Sequence, residues 1–247
     1  KYVPLFTEKS RYFVVTGGRG SGKSFGINVF LLNLTYEAGH KVLFTRYTLT
    51  SAASSIIPEF IEKIELMGVE SDFRITKDEI INLTTGSSIM FKGIRTSSGN
   101  QTAALKSLSG VTTFVLDEAE ELTDEDVFSK IDFSIRSKIK QNRVMLVMNP
   151  TTKEHWIYQR FFMYPNVKGG TNGTKGDVTY IHTTFEDNKG NLSESYLTQL
   201  YDLKRRDITK FEHQILGGWL NKAEGTIITN WKVGTFVQTE LMCYGQD

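Results

Sequence analysis

One cysteine, Cys243, occurs in the 247 residues, which excludes an internal disulfide and leaves a cysteine-built metal cluster without ligands. A reducing intracellular setting is the expectation. Proline is nearly as scarce, with four in the chain. Net charge is almost absent, since 29 Lys and Arg face 28 Asp and Glu for a formal charge of +1. Any nucleic acid must then be met by a local basic patch, because the whole molecule provides no attractive field. No window approaches the roughly 18 uninterrupted apolar residues that span a bilayer, so a membrane is not an expected partner. The opening KYVPLFTEKSRY lacks the apolar core and small-residue cleavage site of a secretory leader. It also lacks Met, as in a chain trimmed or cut from a longer one.

What is present is an ordinary globular composition, 39% hydrophobic and 23% charged, long enough for one large α/β domain. Short β-rich runs alternate with helical patterns, the mark of a mainly parallel sheet flanked by crossover helices. Residues 12–16 (YFVVT) read as the first strand, 23–38 as a helix with Phe25, Val29, Leu32 and Tyr36 at helical spacing, and 42–45 as the second strand. A helix over 55–67 precedes an inserted β-hairpin, 80–83 and 89–91 around a glycine-containing turn. Residues 113–116 and 144–148 are apolar enough for buried parallel strands, with a helical stretch around 124–138 between them. Residues 180–184 form a last strand, 192–217 are helical, and 166–177 (NVKGGTNGTKGD) read as a mobile surface loop without helix or strand.

Gly17-Gly18-Arg19-Gly20-Ser21-Gly22-Lys23-Ser24 fits G-x-x-x-x-G-K-[ST] between a strand and a helix. Glycines let successive backbone N–H groups turn inward around phosphate oxygens, and the helix adds its positive amino end. Lys23 is placed for the β- and γ-phosphates of ATP, and Ser24 for Mg2+. Thr113-Phe114-Val115-Leu116-Asp117-Glu118 is an apolar strand that ends in two carboxylates. Asp117 suits the Mg2+ shell and Glu118 the polarisation of the attacking water. Arg19, inside the loop, is a candidate to bridge γ-phosphate oxygens, although a loop arginine also pairs readily with a local carboxylate. Asn149, after the strand at 144–148, offers an amide able to sense the γ-phosphate or the water, or alternatively begins an Asn-Pro turn.

With GGRGSGKS, VLDEAEEL from Val115, MNPT from Met148 and TTFEDN…YL…LGGWL from Thr183 to Leu220, the chain resembles the large terminase subunits of tailed bacteriophages over almost its whole length. The resemblance implies a P-loop ATPase of RecA-like fold that drives viral double-stranded DNA into proheads. It also implies portal and small-terminase-subunit partners, self-association into a ring and a place in the host bacterial cytoplasm. The family's coupling motif maps onto Met148, Asn149, Pro150 and Thr151, with Met148 where a small polar residue is often found. Its adenine segment often carries a glutamine, but none precedes Gln101 here, which leaves Tyr2, Phe6 and Arg11 as substitutes.

Family members continue into a two-metal nuclease, whereas this chain ends about thirty residues after Trp219 without a comparable carboxylate set. The expected organisation is an ATPase domain over 1–220, helical from about 190, then a linker or the start of a truncated nuclease domain over 221–247, with no nuclease activity. A helicase-like or other nucleic-acid-dependent P-loop ATPase uses the same residues, but a helicase needs a second RecA-like domain. A nucleotide-dependent assembly switch has no need of Glu118. In a ring, a neighbour could supply the transition-state cation, for which Lys106 and Arg136 are candidates.

Overall fold

The computed structural model describes residues 1–47, 52–94 and 109–221. Lys106, residues 222–247 and Cys243 lie outside these.

Among the described residues, nine strands form one sheet: β1 (Tyr12–Gly17), β2 (Lys41–Arg46), β3 (Phe73–Ile75), β4 (Glu79–Asn82), β5 (Ser88–Gly93), β6 (Thr113–Asp117), β7 (Arg143–Met148), β8 (Gly173–Lys175) and β9 (Val178–Thr183). Their order is β3-β4-β5-β2-β6-β7-β1-β9-β8. The six strands from β5 to β9 run parallel, and antiparallel additions close both edges. Strand side chains alternate between two faces, so consecutive residues feed two cores. Phe13, Val15, Phe44, Val115 and Met145 pack against α1 (Lys23–Leu34) and α2 (Ile57–Met67). Val14, Leu43, Phe114, Leu116 and Leu146 face α3 (Glu125–Asp132) and the turn that carries Trp156 and Phe161. Both faces are covered, which is why these strands read as continuous apolar runs. Beyond the sheet, α4 (Glu194–Arg206) and α5 (Ile208–Gln214) share a smaller core of Phe185, Leu200, Phe211 and Ile215.

Several expectations are corrected. The first helix stops at Leu34, because the Thr35 hydroxyl and amide both turn back to the Leu32 carbonyl, at 2.6 and 3.1 Å. Its buried apolar side chains are Ile27, Phe30, Leu31, Leu32 and Leu34, while Phe25 and Tyr36, at its two ends, are exposed. The helix expected around 124–138 ends at Asp132. The hairpin forms, but it extends the sheet, because β5 pairs in parallel with β2 and a further strand, β3, adds outside β4.

The segment 166–177 contains β8. Composition misleads there because an edge strand needs backbone partners more than burial. β8 pairs with β9, Thr174 shares a hydroxyl contact with Thr179 at 3.0 Å, and the Asp177 carboxylate accepts from the Arg11 amide at 2.7 Å.

Candidate functional site

β1 delivers Gly17 to the carboxyl edge of the sheet, where the chain loops over residues 18–22 and enters α1. Gly22, immediately before α1, has φ +74°, a left-handed conformation costly for other residues and free for glycine. Lys23 folds back over the loop and donates to the carbonyls of Gly17 and Gly18, both at 2.9 Å. It also donates to Asn149 Oδ1 at 3.0 Å. Burial pulls the lysine pKa down to about 8, and the carboxylates of Glu120 and Asp117 limit the fall.

β7 lies between β1 and β6, so Asn149, just past β7, stands between the phosphate-type loop and the strand-end carboxylates. Its side-chain oxygen accepts a hydrogen bond from the lysine ammonium, while its backbone and side-chain amides donate to Glu120 Oε1 at 3.3 and 3.1 Å. The other Glu120 oxygen is buried without a partner among the described residues. Burial raises the Glu120 pKa above its ordinary value, against the pull of these hydrogen bonds.

Asp117 is the last, buried residue of β6. Glu118 follows at φ +52° and ψ +45°, a left-handed backbone that costs a non-glycine residue about 1 kcal/mol or more. This turn takes the chain out of the sheet and leaves the Glu118 carboxylate half-exposed at the cavity. Burial raises its pKa, Arg46 opposes, and the charges of Asp117, Glu121 and Glu59 add to the rise.

A cavity of about 300 Å3 collects these groups: the loop from Gly18 to Ser24 on one side, and Asp117, Glu118, Glu120 and Asn149 on the other. Gly17 adjoins it, its carbonyl accepting from the Lys23 ammonium. The Arg19 side chain is exposed at the rim. Every residue expected here, namely Gly17, Gly18, Arg19, Gly20, Ser21, Gly22, Lys23, Ser24, Asp117, Glu118 and Asn149, is gathered at this one place. Met148 also lines it. A second cavity of about 600 Å3 adjoins, sharing Ser21, Gly22 and Phe25 and walled by Tyr2, Leu66 and Asn188. Of the three substitutes for an adenine segment, Tyr2 alone is there. Phe6 packs edge-on against Phe30 at 5.1 Å, and Arg11 binds Asp132 at the opposite edge of the sheet.

The outer side of the loop is not free. The Arg19 amide donates to the Gln214 carbonyl at 2.9 Å, and Asn188 Nδ2 donates to Gly20 O at 3.0 Å. A methyl group on Gly18 would sit 1.9 Å from the Ile215 carbonyl oxygen, so this glycine is required by close approach. His182 bridges Thr16 Oγ1 at 2.9 Å and Leu216 O at 2.9 Å. The chain then passes beside the turn after β7, where the Leu220 amide donates to Thr151 O and Leu220 O accepts from Lys153, both at 2.8 Å.

Two residues of the site carry no motif signal. Glu120 falls within VLDEAEEL, but only the fold shows which carboxylate of that run turns to Asn149. Arg46 ends β2 and reaches Asp117 at 2.8 Å, a contact set by the β2-β6 pairing and invisible without the strand order. Arg136 lies beyond α3, near Ile135, whose carbonyl binds Arg11 ahead of β1, so it stands at the amino edge away from its own cavity.

A parallel sheet whose strand feeds a glycine loop and helix, with strand-end carboxylates one strand removed, defines a P-loop protein of RecA-like fold. The chain belongs to the phage terminase large subunit family, whose model matches residues 9–218. The terminase large subunit of Bacillus phage SPP1 is 24% identical over 264 residues, covering 96% of this chain and 59% of that protein. The chain thus spans well under two thirds of that relative. The large terminase of a thermophilic bacteriophage superposes with a TM-score of 0.67 at 13% identity, over 89% of this chain and 53% of that one. The large terminase ATPase domain of Thermus phage P74-26 superposes with a TM-score of 0.62 at 16% identity, over 87% of this chain and 90% of that one.

Proposed function

We propose that this chain is the ATP-hydrolysing motor part of a terminase large subunit, and that its turnover moves viral double-stranded DNA into a prohead. The observation that carries the reading is the meeting of the loop, Asp117-Glu118 and Asn149 on one cavity. The match over most of the length of a relative solved as an ATPase domain supports treating residues 1–220 as one ATPase unit. Portal and prohead, the small terminase subunit and a ring of copies in the host cytoplasm are the partners and setting of such a motor.

Loop amides and Lys23 bind the triphosphate, which replaces the carbonyl contacts the ammonium now makes. Ser24 and Asp117 fit Mg2+: both are hard oxygen donors, and both line the cavity. The ion would neutralise charge on the phosphate oxygens. Glu118, with a carboxyl pKa raised by burial, takes up a proton from the attacking water, and Asn149 holds that water and reports on the γ-phosphate through Lys23 and Glu120. Arg19 adds positive charge at the rim. The nucleoside extends into the adjoining cavity beside Tyr2 and Phe25. ATP turnover measured with and without proheads and double-stranded DNA tests the reading: stimulation by both together is expected, and an absence of Mg2+-dependent hydrolysis under every condition would overturn it.

A further inference from the structure

β2 and β6 pair in parallel with Thr45 opposite Leu116, which sets Arg46 beside Asp117 at the carboxyl edge. Nε and Nη2 of Arg46 both lie 2.8 Å from one oxygen, Asp117 Oδ2. Nε is also 3.8 Å from Glu118 Oε2, and Nη2 is 3.7 Å from Glu59 Oε1 on α2. One guanidinium therefore stands among three carboxylates, in a place where its side chain is only 16% exposed. Arginine suits that position because its planar fork can serve several acceptors and does not lose its proton.

The oxygen that Arg46 occupies belongs to a carboxylate that lines the cavity, a hard donor of the kind a divalent ion seeks. A guanidinium bonded twice to it repels a divalent ion from the same carboxylate, and at these distances the repulsion is strong. Without Arg46, Asp117 would keep only Lys23, and Glu59 only Lys63, as positive neighbours among the described residues, and the freed Asp117 oxygen would attract a hard cation more strongly whether or not a nucleotide is present.

We infer that Arg46 is the resident counter-cation of this cluster: it keeps divalent metal out until a triphosphate brings it, then gives up Asp117 while retaining Glu59 and Glu118. Arg46 is thus a positioning residue, ordering metal entry after nucleotide. The inference rests on the magnesium nucleotide reading of the cavity.

The test measures Mn2+ binding to nucleotide-free protein by the electron paramagnetic resonance signal of free Mn2+. Arg46→Ala and Arg46→Gln are expected to bind Mn2+ about tenfold tighter than wild type or more, and Arg46→Lys to stay within about threefold of it. Adding Asp117→Asn to Arg46→Ala should abolish the gain. Unchanged or weaker Mn2+ binding in the folded Ala and Gln variants would overturn the inference, as would an Arg46→Lys variant that binds as tightly as Arg46→Ala. A wild-type protein that binds Mn2+ with ATP but shows no gain in the variants sinks this inference alone, whereas one that binds no Mn2+ even with ATP overturns the site reading beneath it.

Discussion

The Lys23 ammonium and the Asn149 side chain meet at 3.0 Å, and through Asn149 the lysine is linked to Glu120, just past the end of the neighbouring carboxylate strand. The amide is oriented by both neighbours at once, its oxygen toward a cation and its nitrogen toward a carboxylate. A triphosphate that captures Lys23 therefore frees one side of Asn149, and the change is felt at Glu120.

Asn149→Ala should lower both stability and turnover. It strips Glu120 Oε1 of its side-chain donor while Oε2 is already buried without a partner, at a cost of about 1 kcal/mol for this partly exposed contact. Adding Glu120→Ala should recover part of the loss, because the double variant leaves no stranded carboxylate. Thermal melting of both single variants and the double variant measures this, and strictly additive losses would show that the two side chains are not coupled.

Lys23→Ala should abolish nucleotide binding, since it deletes the charge that meets the phosphates in the ground state. Glu118→Gln should keep binding and lose roughly a hundredfold to ten-thousandfold in turnover, the range a positioned base supplies. Calorimetric ATP titration beside steady-state hydrolysis separates the two. Hydrolysis by Glu118→Gln at the wild-type rate would refute the assignment.

Gly18→Ala should cost about 1–3 kcal/mol, because the added methyl overlaps the Ile215 carbonyl and something must move. The motion separates the loop from the end of α5, so ATP affinity should fall together with the melting temperature. An unchanged melting temperature would mean that the contact yields freely.

His182 should give the protein an acid-sensitive element. A carbonyl only accepts, so Nε2 carries the proton toward Leu216 O and Nδ1 is left to accept from the Thr16 hydroxyl. Burial lowers the ring's pKa below its ordinary 6.5, with Leu216 opposing. The folded state thus binds a proton less readily than the unfolded chain, and this contribution is complete above 6.5 and lost as pH falls through the depressed value. Between pH 7 and 5.5 the melting temperature of wild type should drop more steeply than that of His182→Gln, and parallel slopes would exclude the histidine as the cause.

Arg136 cannot serve its own cavity from the amino edge, so a catalytic role requires a neighbouring copy. Mixing Lys23→Ala with Arg136→Ala subunits should restore hydrolysis if the cation acts between copies, where loss of such a finger costs about a thousandfold or more. Full specific activity from dilute monomer would instead favour Arg19, which is already at the rim of the same subunit's cavity.

The parts of this molecule that were legible in its sequence share a physical reason. β1, β6 and β7 are buried on both faces, so their apolar runs mark them, and a glycine loop with a following lysine has few other uses. Helix α1 was misjudged in its buried side for a related reason. It is covered almost all round, so no single stripe distinguishes Phe25 from Ile27. β8 was missed because its side chains are exposed and its stability lies in backbone pairing. Arg46 was beyond reach of pattern reading altogether, since its meaning comes from a partner 71 residues away that only the strand order supplies.

The stretch from Ile215 to Leu220 is pinned at both ends of the site, against Gly18 at one end and against Thr151 and Lys153 at the other. A mechanical load that displaces this junction is therefore shared between the glycine loop and the turn after β7. To the extent that nucleotide shifts the junction, load must shift nucleotide affinity by the same factor, because the two are linked through one equilibrium. A tug on the junction and a phosphate in the loop become rival claims on the same six residues.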